Sequence, residues 1–109
     1  MEKETLTVTL SAEKDNLRAT LAGEVDHHNA KGAREAIDKA LFKHRPKRLV
    51  LDLSGVGFMD SSGLGLILGR VALCEELGAE VQLESPSLRV RKVLAVAGID
   101  RLQNLSINS

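Results

Sequence analysis

Asp60-Ser61-Ser62 stands between two apolar stretches, the run Arg48-Leu49-Val50-Leu51-Asp52-Leu53 upstream and a leucine-rich segment that opens at Gly63. Aspartate and serine are the side chains that best satisfy the free N–H groups at the start of a helix. A serine hydroxyl placed there is exposed and lies in a field that favours negative charge. A phosphate added to it meets a site already suited to an anion. The segment therefore reads as a phospho-switch at a helix N-terminus. A plain helix cap is the alternative, and the two roles are compatible: the hydroxyl caps when free and takes phosphate when a kinase docks.

The other candidate chemistries are weaker. Gly63, Gly65 and Gly69 interrupt the helix that follows Ser61, each at about 1 kcal/mol relative to alanine. Close packing on a sheet explains them, and so does bare backbone that lets a partner reach the serine. A dinucleotide-binding turn is a third reading, with Glu84 placed about where a ribose-binding acid would be. Against it, the third fingerprint position holds Leu68 and the strand 48–53 ends ten residues before Gly63. Asp26-His27-His28 offers a helix cap at Asp26 and two histidines for a metal. Adjacent helical side chains diverge by about 100°, so the two histidines do not share one ion, and no nearby cysteine or histidine completes a set. There is no Gly-x-Ser-x-Gly elbow, and no serine, histidine and acid stand at suggestive positions. Lys43, His44, Arg45, Lys47 and Arg48 read as a solvated helix end rather than a phosphate-binding patch.

Composition narrows the partners. Fifteen basic and fifteen acidic residues cancel, which argues against a polyanion binder, nucleic acid included. With 2% aromatic residues and no Trp or Tyr, the chain has no platform for stacking bases. Its core must be built from Leu, Val, Ile and Ala. The lone Cys74 excludes an internal disulfide and a cysteine-based zinc site. Within an apolar helical run it reads as buried and inert. The charged start Met1-Glu2-Lys3-Glu4 is not a signal peptide, and no apolar run approaches the ~20 residues of a membrane helix. A cytoplasmic protein with no membrane association and no cofactor of its own is expected.

The elements that must hold these residues follow from periodicity. Leu6, Val8 and Leu10 alternate with Thr5, Thr7 and Thr9 as a half-buried strand. Lys14-Asp15-Asn16 turns the chain, and Leu17, Ala19 and Leu21 return it as a hairpin that Gly23 ends. A helix from about His27 carries the stripe Ala30, Ala33, Ile37, Ala40 and Leu41, and Pro46 stops it. Residues 48–53, four apolar in six, suit a strand covered on both faces. The helix 61–77 ends at Gly78, and residues 80–84 form a short strand. Ser85-Pro86 starts a helix whose inward face is Leu88, Val93, Leu94 and Ala97, closed by Gly98. Residues 102–107 give a last edge strand. The helix 61–77 has a full core stripe in Leu64, Ile67, Leu68, Val71 and Cys74, and a second in Leu66, Leu73 and Leu77. The second stripe is core or docking surface, with core preferred. The order β-β-α-β-α-β-α-β describes an α/β fold, a mixed sheet with helices packed on it, in a single domain of 109 residues.

The run Phe58-Met59-Asp60-Ser61-Ser62-Gly63-Leu64-Gly65, continuing to Arg70, resembles the phosphorylation motif of bacterial anti-sigma factor antagonists, which are STAS-domain proteins. Gly23-Glu24-Val25-Asp26-His27-His28-Asn29-Ala30 is similar to the sporulation type within that family. The resemblance implies the STAS fold along nearly the whole chain. It implies that Ser61 is the phosphoacceptor, with Ser62 the weaker candidate because its hydroxyl points elsewhere. It implies a partner-binding surface of Asp26, Asp60, Ser62, Gly63 and Leu64. The partner implied is an anti-sigma factor that is also a serine kinase and supplies ATP and Mg. The unphosphorylated antagonist binds it and frees the sigma factor; a PP2C-type serine phosphatase reverses the modification. The chain is then a regulator rather than an enzyme, and a monomer. STAS domains of this type usually add a C-terminal helix, so a shortened or missing one is expected. The alternatives are a STAS module of a general stress response, a transporter-associated module, or a nucleotide-binding module.

Overall fold

The computed structural model describes residues 6–108, and their elements follow the expected order. They are β1 (Thr7–Glu13), β2 (Asn16–Val25), α1 (Ala30–His44), β3 (Arg48–Met59), α2 (Ser61–Leu77), β4 (Glu80–Glu84), α3 (Leu88–Val96), a 3-10 turn (Ile99–Arg101) and β5 (Leu105–Asn108). The sheet order is β1-β2-β3-β4-β5. β1 and β2 pair antiparallel as a hairpin; β2, β3, β4 and β5 run parallel. Each parallel step contains one helix. Right-handed crossovers that always step the same way place their helices on one face of the sheet.

Burial follows that geometry. Leu17, Ala19 and Leu21 in β2, Leu49, Leu51 and Leu53 in β3, and Val81 and Leu83 in β4 point into one core with Ile37, Leu41, Ile67 and Leu94 from the helices. The intervening residues Arg18, Thr20, Asp52, Gln82 and Glu84 are only half-buried. β3 is therefore not covered on both faces. Val50 is buried there but stands outside the core cluster. Arg18 spans three strands on that face, with Nη1 at 3.2 Å from Asp52 and 2.8 Å from Glu84. The Ser54 backbone N–H, then its hydroxyl and Arg18, hold the Asp52 carboxyl below its usual range.

Several boundaries differ from the sequence reading. Gly23 does not end β2. It sits at φ +118° beside a register shift, and the strand continues to the buried Val25. β3 runs on to Met59. Leu6, just before β1, and Val8 within it pack against the core while Leu10 is exposed; Thr5 lies outside the described residues. α3 begins at Leu88 with Ser87 as its cap, accepting from Val90 N at 3.1 Å, so Ser85-Pro86 is not the start. Its inward face is Val90 and Leu94, whereas Leu88 is 70% exposed and Ala97 also faces solvent. On α2, Leu66 is buried and Leu73 and Leu77 pack against the core, so the second stripe is core, while Leu68 of the first stripe is 41% exposed. Arg70 is buried. Its Nε lies 2.7 Å from Asp38 Oδ1 of α1, close but without hydrogen-bond alignment, and Nη1 donates to Leu66 O at 3.3 Å.

Candidate functional site

β2 and β3 end together. Glu24 is paired with Phe58 and Val25 with Met59, so the next residues, Asp26 and Asp60, leave adjacent parallel strands side by side. The Asp60 N–H donates to Val25 O at 3.2 Å and so extends the pairing by one rung. Asp60 then becomes the N-cap of α2. Its Oδ1 accepts from Ser62 N at 2.8 Å and from Gly63 N at 3.4 Å. The cap is thus the aspartate and not a serine. Ser61 is the first helical residue, it is exposed, and its hydroxyl makes no hydrogen bond among the described residues. The hydroxyl is free for a partner, and its position in the anion-favouring first turn is retained.

Asp26 organises a turn rather than the helix itself. Its Oδ1 accepts from His28 N at 2.8 Å and Asn29 N at 3.2 Å. The Asn29 side chain answers, accepting from Asp26 N at 3.0 Å and donating to Glu24 O at 2.9 Å. α1 begins only after this turn, at Ala30, with Asn29 as an N-cap that makes no side-chain cap bond. The His28 N–H above all, then that of Asn29 and the neighbouring histidines, draws the Asp26 carboxyl below its usual range. His27 and His28 lie in this turn, with ring centroids 4.0 Å apart. They are therefore not spread about 100° apart on a helix as expected from the sequence. Among the described residues no group of three or more His, Cys, Asp or Glu is placed to hold a metal.

The three glycines separate. A Cβ on Gly63 would collide with the Met59 side chain, so close packing accounts for it. Gly65 and Gly69 have no atom within 4 Å of such a Cβ, so close packing does not account for them. β3 reaches Met59, so the spacing argument against a dinucleotide turn fails. Two observations replace it. Gly63 and Gly65 lie inside α2 rather than in a loop before it, and the Asp60 carboxylate already occupies the N–H groups a diphosphate would need. On one side of Ser61, Leu64 lines an apolar hollow of about 520 Å³ with Lys92, Val93, Val96 and Ala97. On the other, Ser62 and Gly65 face Ala30, Lys31 and Arg34 across a groove of about 340 Å³. Burial pushes the Cys74 thiol up to about 11, as suits an inert core residue. The buried Arg70 had no signal in the sequence beyond a cation on a largely apolar helix.

The mixed five-stranded sheet with its helices on one face belongs to a known class. Residues 9–108 match the STAS domain family, and the chain belongs to it. Within that family its likeness is to anti-sigma factor antagonists. It is 32% identical over 103 residues to the anti-sigma F factor antagonist of Paenibacillus polymyxa, covering 94% of this chain and 88% of that one. The anti-sigma factor antagonist SpoIIAA in its unphosphorylated form superposes with a TM-score of 0.81 at 30% identity, covering 94% of this chain and 88% of that one. The Bacillus cell fate determinant SpoIIAA in its phosphorylated form gives 0.74 at 29% identity, covering 94% and 91%.

Proposed function

We propose that this chain is an anti-sigma factor antagonist of the sporulation type, switched at Ser61. The observation that carries the reading is the division of labour at the start of α2. Asp60 satisfies the free N–H groups, which leaves the Ser61 hydroxyl exposed and uncommitted. The unphosphorylated protein binds its anti-sigma factor through Asp26, Asp60, Ser62, Gly63 and Leu64 and so frees the sigma factor. The anti-sigma factor is also the kinase. It holds ATP and Mg and supplies the base that takes the serine proton; Oγ bonds to the γ-phosphorus as the bond to the departing ADP breaks. The phosphate adds about −1.5 to −2 of charge next to Asp26 and Asp60, and a surface matched to a neutral hydroxyl loses affinity. A PP2C-type phosphatase returns the hydroxyl. The chain itself supplies an acceptor and a surface and performs no catalysis. It acts as a cytoplasmic monomer; none of its described helices is long and apolar enough to cross a membrane.

The experiment is incubation of the purified chain with its cognate anti-sigma factor and Mg-ATP, followed by digestion and mass spectrometry. One phosphate on Ser61 is the expected result. Incorporation into a Ser61→Ala variant, or modification of Ser62 alone, overturns the assignment.

A further inference from the structure

We propose that the groove between α1 and α2 is a phosphate subsite in which Lys31 and Arg34 take up the phosphoryl group carried by Ser61. The inference rests on the phospho-switch reading above and adds to it a binding site. Lys31 and Arg34 line the groove from α1, and Ser62 and Gly65 from α2. Ser61 precedes the lining residue Ser62 and stands four residues before Gly65, so it shares a helix face with Gly65, one turn nearer the N-terminus of α2. The groove has room there, since a Cβ on Gly65 would meet nothing within 4 Å.

The two cations are uncommitted. Both are exposed, and among the described residues neither forms an ion pair. Asp38, one turn beyond Arg34 on α1, is engaged with Arg70 instead. Burial first of all works against the protonated state of Arg70, Asp38 opposes this, and the charge of Arg34 across the groove adds to it. The surroundings of Ser61 are thus divided. Asp26 and Asp60 make the strand-end side anionic, with His27 and His28 in the turn between strand and helix. Lys31 and Arg34 make the α1 side cationic, with Glu35 the remaining acid on that stretch of helix. A phosphate on Ser61 is repelled from the first side and drawn to the second, where charge-assisted hydrogen bonds to lysine and arginine hold it. Modification therefore has a double effect. It adds an anion and also neutralises the cations that an unphosphorylated surface shows its partner.

The test encodes phosphoserine genetically at position 61 and follows the phosphate by phosphorus NMR across pH, folded and in urea. In the folded protein its second ionisation is expected below the value in urea. The double variant Lys31→Gln, Arg34→Gln should raise it by about half a pH unit or more, because nearby cations favour the dianion. Arg34→Lys should keep most of the lowering, and Lys92→Gln, beside Leu64 on the other flank, should change nothing. Exposed glutamine is as good a helix former as lysine or arginine, and amide spectra check the fold. A double variant that titrates as the unsubstituted protein does, or a folded phosphate that ionises above its value in urea, overturns the subsite. Because the phosphoserine is encoded, a kinase that fails to modify Ser61 would defeat the switch reading and leave this measurement standing.

Discussion

At the start of α2 two neighbouring side chains hold separate tasks: Asp60 caps the helix, and Ser61 presents a hydroxyl to solvent. Removing the cap, Asp60→Ala, should cost about 1 kcal/mol of stability, while Asp60→Asn should cost little, since asparagine caps as well. Ser61→Ala should stay within about 0.5 kcal/mol and abolish phosphorylation. Urea unfolding measures all three; a Ser61→Ala loss as large as that of Asp60→Ala would show that the serine shares the cap. Asp26 gives a second contrast. Its carboxyl sits below its usual range because it accepts N–H bonds from His28 and Asn29. A carboxylate depressed in the folded state contributes stability that is fully present above its unfolded pKa and is lost as pH falls through the folded value. Asp26→Asn keeps the acceptor and removes the charge. Its stability relative to the unsubstituted protein should therefore fall slightly as pH rises through the acid carboxylate range and stay level above it. Partner affinity should drop clearly at neutral pH. Normal binding by this variant would reduce Asp26 to a turn former.

Among the elements, α2 carries the sharpest test of why glycines are there. Gly63→Ala would drive a methyl group into Met59; the strain should outweigh the gain in helix propensity and destabilise by about 1–3 kcal/mol. Gly65→Ala meets open space and should stabilise by up to about 1 kcal/mol, yet weaken partner binding if bare backbone is the docking surface. Thermal melts and a binding titration separate the two positions, and equal destabilisation at both would refute the distinction. The bounds of α2 were legible because Asp60 and Gly78 punctuate it; Gly78 takes φ +77° at its end. The start of α1 was not, because Asp26 and Asn29 satisfy each other in a turn that uses the same residue types as a helix cap. Ser85-Pro86 misled in the same way: the Ser85 N–H is spent on Asn108 O at 2.8 Å, closing the sheet, and Ser87 caps instead. The stretch Ser54-Gly55-Val56-Gly57 within β3 looks like a loop. It is strand because β2 pairs with Gly55 and Val56 between two register shifts, a tertiary cause that local sequence does not carry. The helix start at Asp60-Ser61 was readable from residue types, but the adjacency of Asp26 to Asp60 depends on that same pairing.

For the whole molecule the question is whether the switch moves the fold or only its surface. Ser61 sits on the rim of the sheet's strand ends, outside the single core that joins β2, β3 and β4 to the helices. A phosphate there gains about 0.3–1 kcal/mol from the first turn of α2 and faces repulsion from Asp26 and Asp60, so the two effects oppose each other and neither reaches the core. The SpoIIAA relative keeps a fold that matches this chain in both its unphosphorylated and phosphorylated forms. Phosphorylation should then leave the melting temperature unchanged or slightly raised, while affinity for the anti-sigma factor falls at least tenfold, about 1.4 kcal/mol. Because the loss is electrostatic in part, it should shrink as salt is raised toward 1 M, where charges more than about 3 Å apart are screened. Amide shifts should change around the 26–29 turn, the first turns of α1 and α2, and the end of β3, and stay fixed in β1, β4 and β5. A large fall in melting temperature, or shifts spread across the far strands, would mean that the phosphate acts by rearranging the sheet, and the surface-charge account would have to be abandoned.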